Sequence, residues 1–159
     1  MSKANGVKRV ALIASKGTLD MAYPPLILAS TAISMDWEAG IFFTFYGLDI
    51  IKKAKLEHLK VPSLANPAMP VPVPNIIGAL PGMTAMATMM MKSWIKKAHV
   101  ATLPDLLDVC REGGARLIGS QMTMDLMGVK KEELVDGIEV GGAATFLEYA
   151  SEADVSLFI

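Results

Sequence analysis

The sequence predicts an α/β domain with a mostly parallel five-stranded sheet, and three observations carry the prediction. Short runs of β-branched, aromatic and other apolar residues alternate with stretches of helical periodicity. The runs are apolar on both sides rather than on every second residue, the pattern of strands covered on both faces. Several end in serine or glycine turns that open directly into a helix start.

The first run, Val7 to Ala14, leads into the turn Ser15-Lys16-Gly17-Thr18 and then a helical stretch from about Leu19 to Met35. Pro24 and Pro25 fall inside that stretch. A helix accepts proline only in its first turn, so it is expected to start late or to kink. Glu38 to Gly47 reads as a second buried strand, followed by a short helical stretch around Leu48 to His58. From Val61 to Met91 no charged residue occurs, and six of the nine prolines lie there, which predicts an extended loop inserted in one domain spanning residues 1–159. Its second part, Gly82 to Trp94, has helical character and ends among Lys92, Lys96 and Lys97, but is too short for a bilayer span.

Thr102, ahead of Leu103-Pro104-Asp105, is a good helix N-cap, and Leu103, Leu106, Leu107 and Cys110 recur at helical spacing before Gly113-Gly114. Ala115 to Gln121 is a third strand with Ser120 at its carboxyl end. A helix start at Met122 to Leu126 follows, with Asp125 as its expected cap. A short helix at Lys131 to Leu134, a strand at Gly137 to Val140, a helix at Ala143 to Ser151 and a buried terminal strand within Ala153 to Ile159 complete the chain. Strands and crossover helices in this alternation give three flavodoxin-like layers, with ligands expected beyond the carboxyl ends of the strands. Those ends are Ser15 to Thr18, Tyr46-Gly47, and Ser120 to Asp125.

With 15 basic and 16 acidic residues, no net field draws the chain to nucleic acid. One cysteine and two distant histidines offer no metal-ligand spacing, so neither metal nor cofactor is expected. The amino-terminal residues lack the features of an export signal, which makes the cytoplasm the expected location. The Ser15 to Thr18 turn has the chemistry of an anion cradle, with Lys16 and Gly17 the basis of a small-anion or nucleotide reading, though without phosphate-loop or dinucleotide glycine spacing. Cys110 is the one thiol available as a nucleophile, but its apolar stripe argues for a packed, inert group. The long apolar segment suits burial in a homo-oligomer, a hydrophobic partner or a membrane surface. A non-catalytic module recruiting a membrane or oxidoreductase partner through residues 61–91 is the alternative functional reading.

Three stretches, Leu80 to Lys92, Leu117 to Val129 and Gly137 to Ile159, resemble the DsrE/DsrF-like sulfurtransferases, in particular the soluble single-domain DsrE branch. The most specific part is Gly119-Ser120-Gln121-Met122-Thr123-Met124-Asp125, where the family reads alanine or glycine, cysteine, one residue, and Met-Ser/Thr-Met-Asp. The resemblance implies a persulfide or thiosulfonate carrier, acting with TusA-like or rhodanese-like partners and assembled as a trimer or larger ring. It places the carrier at position 120. Here a serine stands there, and a hydroxyl cannot hold a persulfide. Three readings stay open: the carrier is lost, Cys110 replaces it, or a cysteine has been deliberately changed. Around position 120, Ser15, Lys16, Gly17, Thr18 and Tyr46 are expected to hold an anionic substrate group, alongside Thr123 and Asp125. Met122 and Met124 are expected to form a dry wall.

Overall fold

The fold is known from a computed structural model that describes residues 6–62, 77 and 79–159. The expected extended geometry at Pro67, Pro70, Pro72 and Pro74 lies outside the described residues. The chain divides into two compact units, one formed by residues up to 59 together with 102–159, the other by residues 60–101.

In the first unit, strands β1 (Arg9–Ala14), β2 (Glu38–Phe43), β3 (Arg116–Ser120), β4 (Glu139–Gly141) and β5 (Val155–Phe158) form one sheet in the order β4-β3-β2-β1-β5. All its strand pairs are parallel. The helices of this unit are α1 (Leu19–Ser34), α3 (Leu103–Glu112), α4 (Gln121–Met127) and α5 (Ala143–Ala150), with 3-10 turns at Phe45–Ile51 and Lys131–Glu133. The connections from β1 to β4 step across the sheet in one direction, and the connection through α5 returns across it to β5. Right-handed crossovers therefore place α5 on the opposite face from α1, giving three layers.

Strand alternation separates two sets of core residues. Ala11, Phe42 and Ile118 face α5 and pack with Phe146 and Tyr149, the Phe42 and Phe146 rings stacking at 5.1 Å. Leu12, Ile41, Phe43 and Leu117 fill the other face, and all are fully buried. Helix α1 begins at Leu19, ahead of Pro24 and Pro25, so it does not start late. Thr102 caps α3 as expected, in a capping box in which its hydroxyl accepts from the Asp105 amide and the Asp105 carboxylate accepts from the Thr102 amide.

Two expectations are corrected. The last strand is not buried: among the described residues β5 pairs with β1 alone and forms an edge of the sheet, with Phe158 73% exposed. The stretch after β2 is a 3-10 turn that starts at Phe45 and stops at Ile51, not a helix reaching His58.

At the amino ends of the strands, Arg9 is buried. It donates from Nε to Glu38 Oε2 at 2.6 Å and from Nη1 to Glu152 Oε2 at 2.8 Å. Its guanidinium lies 4.5 Å from the centre of the Tyr149 ring, and that of Arg116 lies 5.8 Å away. Tyr149 rests directly on Gly40, where a Cβ would sit 2.3 Å from the ring. Burial pushes the Tyr149 hydroxyl up to about 12 against the opposing pull of Arg9.

In the second unit, helix α2 (Met83–Lys97) begins after Gly82, which holds a left-handed φ of 87°. Thr88 is its one buried residue, donating to the Thr84 carbonyl at 2.7 Å and accepting from the Val61 amide at 3.1 Å.

Candidate functional site

A chain of hydrogen bonds runs along the carboxyl edge of the sheet and ties four strand ends together. Both the amide and the hydroxyl of Ser15 donate to the Ile159 carbonyl at 2.8 Å, joining β1 to β5. The Thr44 amide donates to the Ala14 carbonyl at 3.0 Å, joining β2 to β1. Thr123, fully buried, accepts from the Phe45 amide at 3.0 Å, and its hydroxyl lies 3.2 Å from that of Thr44, joining the turn after β3 to β2. Ser120 Oγ in turn accepts from the Thr123 amide at 3.4 Å.

That bond makes Ser120 the N-cap of α4, the place expected for Asp125. Asp125 lies inside α4 and accepts instead from Gln121 Nε2 at 2.7 Å. Ser120 is 3% exposed, so its oxygen sits at the floor of the edge.

The backbone at this edge is unusually close. A Cβ on Gly47 would lie 1.9 Å from the Ala14 carbonyl oxygen, and one on Gly17 would lie 2.2 Å from the Tyr46 carbonyl oxygen. The turns after β1 and β2 therefore press on each other through two glycines. Phe45, between them, holds a left-handed φ of 47°, a strained conformation for a bulky residue. Strain of this kind clusters where a backbone must be held in one functional geometry.

The fold brings Ser15, Gly17, Tyr46, Ser120 and Thr123 to this one edge, through the bonds and close approaches just described. Lys16 is exposed in the same turn, and Thr18 caps α1 without a side-chain bond. Met122 and Met124 do not form one wall: Met122 is 56% exposed, while Met124, 4% exposed, belongs to the core. The aromatic side chains of Phe45 and Tyr46 and the aliphatic side chain of Leu126 are also exposed, giving the edge an apolar rim. Sequence reasoning missed the parts played by Thr44 and Phe45, which no local motif announces.

Cys110 is not part of this edge. It is fully buried on α3, donating to the Leu26 carbonyl of α1 at 3.6 Å. It precedes the Gly113-Gly114 turn into the amino end of β3, whereas Ser120 ends that strand, roughly 13 Å further along. Burial pushes the thiol up to about 11, so at neutral pH it is protonated and a poor nucleophile. Iodoacetamide at neutral pH is expected to leave the native chain unmodified and to label it fully in denaturant, read by intact mass. Labelling of the native chain at the rate of free cysteine contradicts this. Because the folded value exceeds the ordinary 9.0, the protonated thiol favours the folded state below pH 9. That contribution fades as pH rises from about 9 to about 11. Among the described residues, no three His, Cys, Asp or Glu side chains gather to hold a metal ion.

The chain has counterparts among known proteins. The chain is 47% identical over 158 residues to the sulfur carrier protein DsrE2 of Allochromatium vinosum, with 96% of this chain and 98% of that protein aligned. It is 34% identical over 155 residues to the uncharacterized protein YrkE of Bacillus subtilis, covering 96% and 97% of the two chains. The crystal structure of the ychN protein from E. coli superposes with a TM-score of 0.59 over 96% of this chain and 100% of that one. At 11% identity this speaks for the fold alone. Residues 6–158 match the sequence pattern of the DsrE/DsrF/DrsH-like family. On the length and identity of these matches, the chain belongs to the DsrE/DsrF/DrsH-like family.

Proposed function

We propose that this chain works in sulfur relay and that the strand tip at Ser120 is the seat at which sulfur is held when a cysteine stands there. The observation that carries the reading is Ser120 itself. It is a small side chain at the carboxyl end of a central parallel strand, held by the Thr123 amide and rimmed by exposed apolar groups. The relationship to a sulfur carrier protein over almost the whole chain supports it. With serine the seat keeps its shape but lacks the sulfur atom, and the buried Cys110 does not replace it. The native chain is thus a relay-family protein without covalent carriage of its own. It recognises the sulfur-bearing group or a TusA-like or rhodanese-like partner through the same edge.

Loading with polysulfide tests this. A cysteine thiolate at position 120 attacks the terminal sulfane sulfur, forming a persulfide and releasing a polysulfide one sulfur shorter. Ser120→Cys is expected to gain one sulfur per chain by intact mass, and the native chain none. A Ser120→Cys protein that stays unmodified while folded argues against the seat.

We also place a self-association surface at the β5 edge, where Phe158 and Leu157 and the Leu147 side chain of α5 are exposed. Unpaired strand edges and apolar patches of this kind favour pairing between copies. Phe158→Ser with Leu147→Ser is expected to shift the chain to monomer in light scattering, and an unchanged mass removes this surface from consideration.

A further inference from the structure

We propose that α2 is an interfacial docking element for anionic lipid surfaces, a role separate from the sulfur-relay reading and resting on different residues. Charge is segregated along the chain. Of its 15 basic and 16 acidic residues, the unit of residues 60–101 holds four of the former (Lys60, Lys92, Lys96 and Lys97) and none of the latter.

The hydrogen bonds of Thr88 fix which side of α2 turns toward Val61. On the far side, Met86, Met90, Ser93 and Lys97 follow at steps of four, three and four residues, with Met89 and Lys96 on one flank, and all are exposed. Met86 and Met89 lie in the first two turns, the lysines in the last, and Trp94 sits between the two groups on the flank. Exposed Ile77 and Leu80 extend the apolar end beyond the helix start.

This ordering along the axis matches the depth profile of a bilayer surface. Flexible apolar methionines reach the acyl region, the amphipathic indole suits the boundary, and lysines reach the phosphate layer. An acidic protein surface would satisfy the lysines but gives no reason for the separation of apolar and basic ends. The helix dips into the surface by its amino end rather than crossing the bilayer. Its 15 residues extend about 22 Å against a hydrocarbon core of about 30 Å. No helix among the described residues is long and apolar enough to cross a membrane.

The test uses the full chain carrying Trp37→Phe, which leaves Trp94 as the sole indole. Phosphatidylcholine vesicles with and without phosphatidylglycerol are compared by co-sedimentation and by Trp94 emission. The chain is expected to sediment with the phosphatidylglycerol vesicles with a blue shift of Trp94, and to stay in the supernatant with phosphatidylcholine alone. Lys96→Gln with Lys97→Gln is expected to weaken binding roughly 30-fold, since each lysine contributes a similar increment at an anionic surface. Met86→Ser with Met89→Ser is expected to abolish the blue shift while keeping the parent's melting temperature. Absence of sedimentation with anionic vesicles, an unshifted Trp94, or lysine variants that bind like the parent overturns the proposal. So does a lipid-free oligomer that the lysine variants dissociate, which assigns the helix to a second copy. None of these outcomes bears on sulfur loading at position 120.

Discussion

Gly47→Ala is expected to lose about 4 kcal/mol of folding stability or more, which for a domain of this size means little folded protein. The added methyl would lie 1.9 Å from the Ala14 carbonyl oxygen and 2.6 Å from its carbon. Both are backbone atoms at the end of the interior strand β1, so no flexible side chain can move aside. The Ala14 carbonyl also accepts the Thr44 amide that ties β2 to β1, so any shift that relieves the clash breaks the edge on which Ser120 depends. Gly142→Ala is the matched control. Nothing lies within 4 Å of its Cβ position and its φ of −94° suits any residue, so a change of about 1 kcal/mol or less is expected. Urea midpoints of the two variants, or soluble yield if Gly47→Ala does not accumulate, decide the matter. Equal stability would show that the two turns are not in contact.

Arg9→Met carries the second large effect, a loss of about 3 kcal/mol. Methionine keeps most of the volume beneath Tyr149 but removes the donors to Glu38 and Glu152 and the cation over the ring. Burial by itself would lower the Arg9 pKa, yet the hydrogen bond and charge of Glu38, with help from Tyr149 and Glu152, leave it raised. The guanidinium is thus firmly charged and its loss is felt by its partners. The carboxylates of Glu38 and Glu152 are 40% and 34% exposed and can turn partly to water, which holds the loss toward the lower end of that for buried pairs. Adding Glu38→Gln to Arg9→Met is expected to recover part of the stability. A double variant less stable than Arg9→Met would place the main loss in packing rather than charge.

The strands of the sheet could be read from sequence because each is a dense run of β-formers between breakers, and Thr102 could be read as a cap because Asp105 follows it at the right spacing. The position of β5 could not. Val155 to Phe158 has the composition of a buried strand, and which strand ends a parallel sheet depends on the crossover path rather than on its own residues. The placement of Ser120 at a strand end was legible, but its role as cap was not assigned. A serine three residues before Thr123 at a strand-to-helix boundary is a usable signal, and Asp125 drew the assignment away from it. The contact of Tyr149 with Arg9 joins residues from opposite ends of the chain, and its contact with Arg116 joins different elements, both beyond the reach of any local pattern. The same holds for Gly47 and Gly17, whose necessity comes from one turn lying against another.

The central claim is that sulfur belongs at the strand tip and not on α3. Peptide mapping after polysulfide treatment tests it most directly, comparing the native chain, Ser120→Cys, and Ser120→Cys with Cys110→Ala. The account predicts sulfur on position 120 in both variants, to the same extent with or without Cys110, and none on the native chain. Sulfur found on Cys110 of the folded native chain, or lost from the double variant, would contradict it.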